Sequence, residues 1–237
     1  MSDVITGFFQ GIIGLVTFMG PYIPYLLEGA VVSLQVATLS FIIGNIIGIV
    51  VGIMRVSGIK ILEYIATIYV EVIRGTPLVV QLLLIYFGIP IALGLRFPPF
   101  LAGVIAFSVN SGAYQAEIVR SGIKSIPRGQ MEAAESLGFT YWQAMRYIII
   151  PQAMRILIPA FVNEYSTVLK DTSLLIIIGY PELTRKGQYI ASRTFRYFDV
   201  YITIAAIYLV MVFTISKLAR WIEKKIAIPG LGVKGRE

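Results

Sequence analysis

Glu164 and Asp171 stand seven residues apart in a stretch that is otherwise apolar, and Asn163 and Lys170 repeat that spacing one residue earlier. On a helix this puts both carboxylates on one face, with Asn163 and Lys170 on the face beside it. Central Asp or Lys in a membrane span costs about 2.5 to 3.5 kcal/mol on insertion scales, so Glu164, Lys170 and Asp171 need partners. A bound ion or substrate is one answer; a Lys170–carboxylate pair that only locks neighbouring helices together is another. Asn110, Tyr114, Glu117 and Ser121 recur at spacings of four, three and four, forming a second polar stripe on a helix. Lipid would leave that stripe unsatisfied, so it faces protein or water. The chain has no Cys and no His, which removes thiolate nucleophiles, Cys-ligated metals, and the usual metal ligand and neutral-pH base. Ser166 and Lys170, one helical turn apart, are the sole hint of enzyme chemistry. What remains is binding.

The elements that carry these groups follow from composition. Residues of the AVILMFWYC set make up 57% of the 237 and charged residues 14%, while mean hydropathy is +0.80. No soluble core of this size hides so much apolar surface, so the chain reads as an all-α integral membrane protein. Residues 4 to 19 are short and glycine-broken, and Pro21 and Pro24 follow. An interfacial helix over residues 1–20 is therefore expected, with Asp3 arguing against a cleaved secretory signal. About five spans come next. The first runs from Tyr25 to Met54 and carries Gly44, Gly48 and Gly52 as a small-residue ridge for a close neighbour. Ile61 to Leu95 splits at Gly75-Thr76-Pro77 into a surface helix, on which Glu71 and Arg74 can pair, and a span from Pro77 to Ala92. That break either lines a path or is a structural kink. The third span covers Phe100 to Val119, the fourth Ile156 to Ile178, and the fifth Val200 to Leu218.

A polar island, Ser125 to Pro151, interrupts this pattern. Met131 to Ala134 favour helix, Gly138 stops it, and Thr140 is suited to cap another, so two short helices meeting at a bend are predicted, the second ending at Pro151. With the island on the cytoplasmic side, that side holds thirteen Lys and Arg residues, from Arg55 and Lys60 through Arg128 and Arg146 to Lys234 and Arg236. The opposite side holds five: Arg96, Arg185, Lys186, Arg193 and Arg196. The positive-inside rule then sets the amino terminus outside and the island and the tail, residues 226–237, in the cytoplasm. The net charge of +7 is thus explained by topology, and no nucleic acid is implied.

The island carries a recognisable signature. Glu132-Ala133-Ala134, three residues, Gly138, nine residues, Ile148 and then Pro151 resembles the EAA motif of ABC importer permeases. Arg74-Gly75-Thr76-Pro77 with Gln81, Asn110 with Ala113-Tyr114 and Glu117, and Lys170 to Leu174 further resemble the polar amino acid permeases of that superfamily, the HisM/HisQ-like group, over residues 20 to 225. The resemblance implies the type I permease architecture as a single domain over residues 1–237, with a five-span core over 25–225 and a cytoplasmic coupling loop over 125–151. It also implies separate ATP-binding cassette ATPase subunits, a second permease subunit, identical or related, and an extracytoplasmic solute-binding protein. The chain has no G-x-x-x-x-G-K-[ST] phosphate loop, so it is expected to bind no cofactor, with ATP and Mg²⁺ held by the ATPase. Glu132, Ala133, Ala134 and Gly138 are the expected ATPase-coupling residues.

An amino acid zwitterion needs acceptors for its ammonium and donors for its carboxylate. Glu164 and Asp171 fit the first task, and Asn110, Ser111, Thr167 and amides freed at a helix break fit the second. Two acids against Lys170 tilt the expectation toward a cationic side chain. Two other classes compete: an ion-coupled secondary transporter using Glu164 and Asp171, and a membrane-embedded enzyme using Ser166 and Lys170.

Overall fold

In a computed structural model, Gln10 and residues 13–226 are described, with residues 219, 220 and 222–226 described at the backbone only. Eight helical elements are seen among these residues, and no strand. They are α1 (Ile13–Met54), α2 (Lys60–Arg74), α3 (Leu78–Leu93), α4 (Pro99–Lys124), α5 (Arg128–Ser136), α6 (Tyr141–Ile178), α7 (Leu183–Thr194) and α8 (Tyr197–Ile226).

Over its second half α1 is packed in the sense opposite to a helix of a soluble bundle. On α1 the buried face is Ser33, Ser40, Gly44, Gly48 and Gly52, whereas Ile42, Ile46, Ile49, Val50 and Ile53 are exposed. Lipid is as apolar as leucine, so helix association relies on close packing of small residues, and the bulky ones face outward. A Cβ on Gly48 would come within 2.4 Å of the Gln115 Cβ, and one on Gly52 within 2.6 Å of the Val119 Cβ. The ridge seen in the sequence is therefore the seam between α1 and α4.

Helix α4 is the central post, touching α1, α2, α3 and α6. It opens at Pro99, whose missing N–H costs nothing in a first turn. Among the described residues three helices, α1, α6 and α8 from Tyr197 to Leu218, are long and apolar enough to cross a membrane, and the bent pair α2–α3 makes a fourth if counted as one span. The expected third span, α4, falls short on apolarity. Its buried face carries Ser108, Asn110, Ser111 and Gln115, which meet protein and need no hydrocarbon character.

Two boundaries differ from expectation. Residues 13–19 do not form a helix apart from the first span; a 3₁₀ turn at Gly20–Tyr22 carries them straight into it. Pro21 and Pro24 sit in the first turns of renewed helix, where proline is tolerated. The remainder of the expected interfacial helix, apart from Gln10, and residues 227–237 of the tail fall outside the described residues. Pro151 does not end the island's second helix, which runs on through Pro159 into the fourth span. A π turn at Met145–Ile149 precedes Pro151, and another at Leu84–Gly88 precedes Pro90. Proline crowds the carbonyl four residues back, Tyr147 and Tyr86 here, and the wider turn relieves it. The segment between the fourth and fifth spans carries a helix of its own, α7, which Glu182 caps through the amides of Thr184 and Arg185 at 2.8 and 2.7 Å. Glu182 is fully buried and also accepts from the Tyr208 hydroxyl on α8 at 3.1 Å, tying the two helices together.

Candidate functional site

The break between α2 and α3 bends the chain by 100°. A helix end at membrane depth leaves carbonyls without partners, and side chains supply them. The Thr76 hydroxyl donates to Val72 O at 2.9 Å, and the buried Gln81 amide donates to Ile73 O at 2.7 Å and Thr76 O at 3.1 Å. Asn110 on α4 donates to Gln81 Oε1 at 3.0 Å, fixing the broken corner to the central post. Asn110, one of the expected substrate contacts, thus commits one donor to structure.

Beside this corner lies a cavity of about 700 Å³ between α2, α3, α4 and α6. Asn110, Glu164, Thr167 and Asp171 line it together, as does the break from Arg74 to Pro77 with Leu78 and Val79 behind it. Ser111 does not line the cavity. It is buried beneath it and donates to Glu164 Oε1 at 2.7 Å, while Gln115 donates to Ser111 at 2.9 Å. Ser111 is therefore a support for the carboxylate. Thr167 donates to its own helix at Asn163 O, 3.2 Å away, and keeps its lone pairs for the cavity. Lys170 is exposed, lines no part of the cavity and makes no close ion pair with either carboxylate. The interhelical lock drawn from the sequence is not formed.

Two further cavity residues, Arg74 and Tyr114, are not among the substrate contacts expected from the sequence. Spacing along α2 suggests Glu71 as the partner of Arg74, but its guanidinium lies over the Tyr114 ring, 5.2 Å from the centroid, and 4.0 Å from Glu117. Arg74 closes the last turn of α2, which itself packs against α4. The signal that could have located it was a cation directly before a Gly-Thr-Pro break in an apolar region. The cavity consequently presents two carboxylates and one guanidinium.

The Glu132-Ala133-Ala134 segment lies on α5, away from that cavity. Glu132 and Ala133 are exposed, and Ala134 is buried beneath them. Gly138 has φ of +85°, and Phe139 N donates to Ala134 O at 3.1 Å, so the helix ends in a left-handed cap as glycine at that position predicts. Thr140 and Gln143 then form a reciprocal capping box that starts α6. The resulting hairpin projects Leu137 and Trp142, 78% and 71% exposed, and a second cavity of about 480 Å³ separates its base from the α1–α2 turn.

A helical bundle with an apolar exposed surface, a charged cavity at a broken helix and a capped polar hairpin suits a membrane protein that admits a small polar solute. The chain belongs to the family of binding-protein-dependent transport system inner membrane components, which it matches over residues 44–228. It is 42% identical over 209 residues to the glutamine transport system permease protein GlnP of Escherichia coli strain K12, covering 88% of this chain and 95% of that one. It is 39% identical over 206 residues to the arginine transport system permease protein ArtQ of Bacillus subtilis strain 168, covering 87% and 94%. A crystal structure of an amino acid ABC transporter with histidines superposes with a TM-score of 0.83 at 46% identity, over 88% of this chain and 97% of that one. An inward-facing structure of the MetNI methionine ABC transporter shares the fold, with a TM-score of 0.74 at 21% identity.

Proposed function

We propose that the chain is the permease subunit of an ABC importer for polar amino acids, with a preference for cationic ones. The observation that carries this reading is the cavity where Glu164, Asp171 and Arg74 meet. Carboxylates accept from an α-ammonium, and a guanidinium donates two parallel hydrogen bonds to an α-carboxylate. The first amides of α3, at Leu78 and Val79, add further donors at the same wall. With one acid matched by Arg74, the other leaves net negative charge for a cationic side chain. The named relatives include a glutamine and an arginine permease, so the charge balance supplies the choice between them.

The work of transport comes from a partner. Cassette ATPase subunits bind ATP and Mg²⁺ and receive the α5 hairpin, with Glu132, Ala133, Ala134 and Gly138 as the docking turn. A second permease subunit, identical or related, completes the path, and an extracytoplasmic solute-binding protein delivers the amino acid. Closure of the ATPases swings the hairpin as a lever, and the bundle alternates between outward and inward openings. The hairpin and the tail face the cytoplasm, and the amino terminus faces out.

The test is ATP hydrolysis by the reconstituted complex with arginine, lysine, histidine or glutamine supplied. The cationic amino acids are expected to stimulate most, and Glu164→Gln with Asp171→Asn to abolish stimulation. A glutamine-first ranking overturns the preference. An unchanged stimulated rate in the double variant removes these residues from the site.

A further inference from the structure

One carboxylate gathers three arginines from three helix ends. Glu117 on α4 pairs with Arg55, which caps the end of α1, and with Arg120 one turn further along α4; Arg74, in the last turn of α2, lies 4.0 Å away. Among the described residues no other acid forms an ion pair with any of the three, so the junction keeps an excess of positive charge. Its members are held unequally. The Arg55 side chain is 12% exposed, whereas that of Arg74 is 38% exposed, and a separation of 4.0 Å is longer than a hydrogen bond. Arg74 is therefore the loose member, and it also lines the large cavity against Tyr114. Arg55 is the tight member, and it lines the second cavity together with Arg128 and Met131 of α5. Glu117 itself lines neither cavity, but it stands between them, paired with Arg55 of the one and 4.0 Å from Arg74 of the other.

We infer that Glu117 is a positioning residue for transport: it sets whether the Arg74 guanidinium is presented to the cavity or drawn into the junction, and Arg55 ties that choice to the hairpin. The inference rests on the reading of the cavity as the amino acid site. An entering carboxylate competes with Glu117 for Arg74, which leaves Glu117 to Arg55 and Arg120. By reciprocity, a hairpin movement that pulls Arg55 off Glu117 frees the carboxylate to draw Arg74 back, which loosens the hold on the amino acid where release is required. Equal affinity of Arg74 for the two partners is not needed; differential pairing in the two states is enough to shift the balance.

The experiment uses the full complex of permease and ATPase subunits. In Glu117→Gln, Arg74 has no carboxylate to return to. L-arginine titrated into the solubilised complex should bind about fivefold or more tighter, while the maximal rate of arginine uptake in proteoliposomes falls by a similar factor. A residue of merely structural importance lowers the amount of active complex without splitting affinity from rate in this way. Unchanged binding, or weaker binding, overturns the inference. A second arm is independent of the transported solute: ATP hydrolysis is measured for Glu117→Gln, Arg55→Gln and the pair together. Non-additive effects support a shared unit, and additive effects overturn it. Should Glu117→Gln fail to assemble, Glu117→Asp, which withdraws the charge by one methylene, is put through both arms under the same criteria. Failure of the cavity reading shows elsewhere, as unaltered arginine binding in Glu164→Gln, and leaves the second arm to decide on Glu117.

Discussion

Gly138 holds a φ of +85°, a conformation in which a Cβ crowds the following carbonyl; a methyl group there would otherwise meet no atom within 4 Å, so the backbone angle alone restricts the site. Gly138→Val should therefore cost about 1 to 2 kcal/mol locally and redirect the hairpin without loosening the bundle. The expected result is a complex with a normal thermal transition whose ATP hydrolysis no longer drives uptake; vesicles that transport at the normal stoichiometry refute it. Glu182 is the opposite case, a residue whose surroundings leave no freedom. Glu182→Ala removes the α7 cap, strands two amides and takes one acceptor from the Tyr208 hydroxyl, a loss of about 2 to 4 kcal/mol. Thermal unfolding in detergent measures it, and a shift no larger than that of an exposed-site variant such as Ser192→Ala counts against the role.

At the scale of elements, the contact between α1 and α4 is set by glycine. Gly48→Ala puts a methyl within 2.4 Å of the Gln115 Cβ and 3.1 Å of the Ala116 amide, atoms carried by the α4 backbone and unable to swing aside. The helices must part, and overpacking of this kind costs about 1 to 3 kcal/mol. Gly14→Ala on the same helix meets nothing within 4 Å and should be neutral or stabilising, since alanine is the better helix former. Equal melting temperatures for the two variants contradict the seam. The bend between α2 and α3 belongs to the same scale. Gln81 satisfies the broken carbonyls and Asn110 anchors Gln81, so the corner that shapes the cavity is held by a small amide network.

For the whole molecule, the sidedness of the charges leads to a topology that labelling can decide. The chain contains no Cys, so a single introduced thiol reports alone. Lys60→Cys, exposed at the start of α2, should react with a membrane-impermeant maleimide only in inside-out vesicles, and Ser192→Cys, exposed on α7, only in right-side-out ones. The reverse pattern inverts the molecule and places the hairpin outside, where no ATPase exists to receive it.

Much of this was written in local spacing. The apolar runs, the glycine ridge at Gly44, Gly48 and Gly52, the break at Pro77, the Gly138 stop and the Thr140 cap each depend on residues a few positions apart, and periodicity reads such features directly. Glu164 and Asp171 share a cavity wall for the same reason, being two turns apart on one helix. The partners of Arg74, the buried support of Ser111 under Glu164, the tie from Glu182 to Tyr208 and the approach of Arg55 and Arg74 to Glu117 join residues tens of positions apart. Their encounter depends on how α4 is crossed by its neighbours, a matter of packing that no local period encodes.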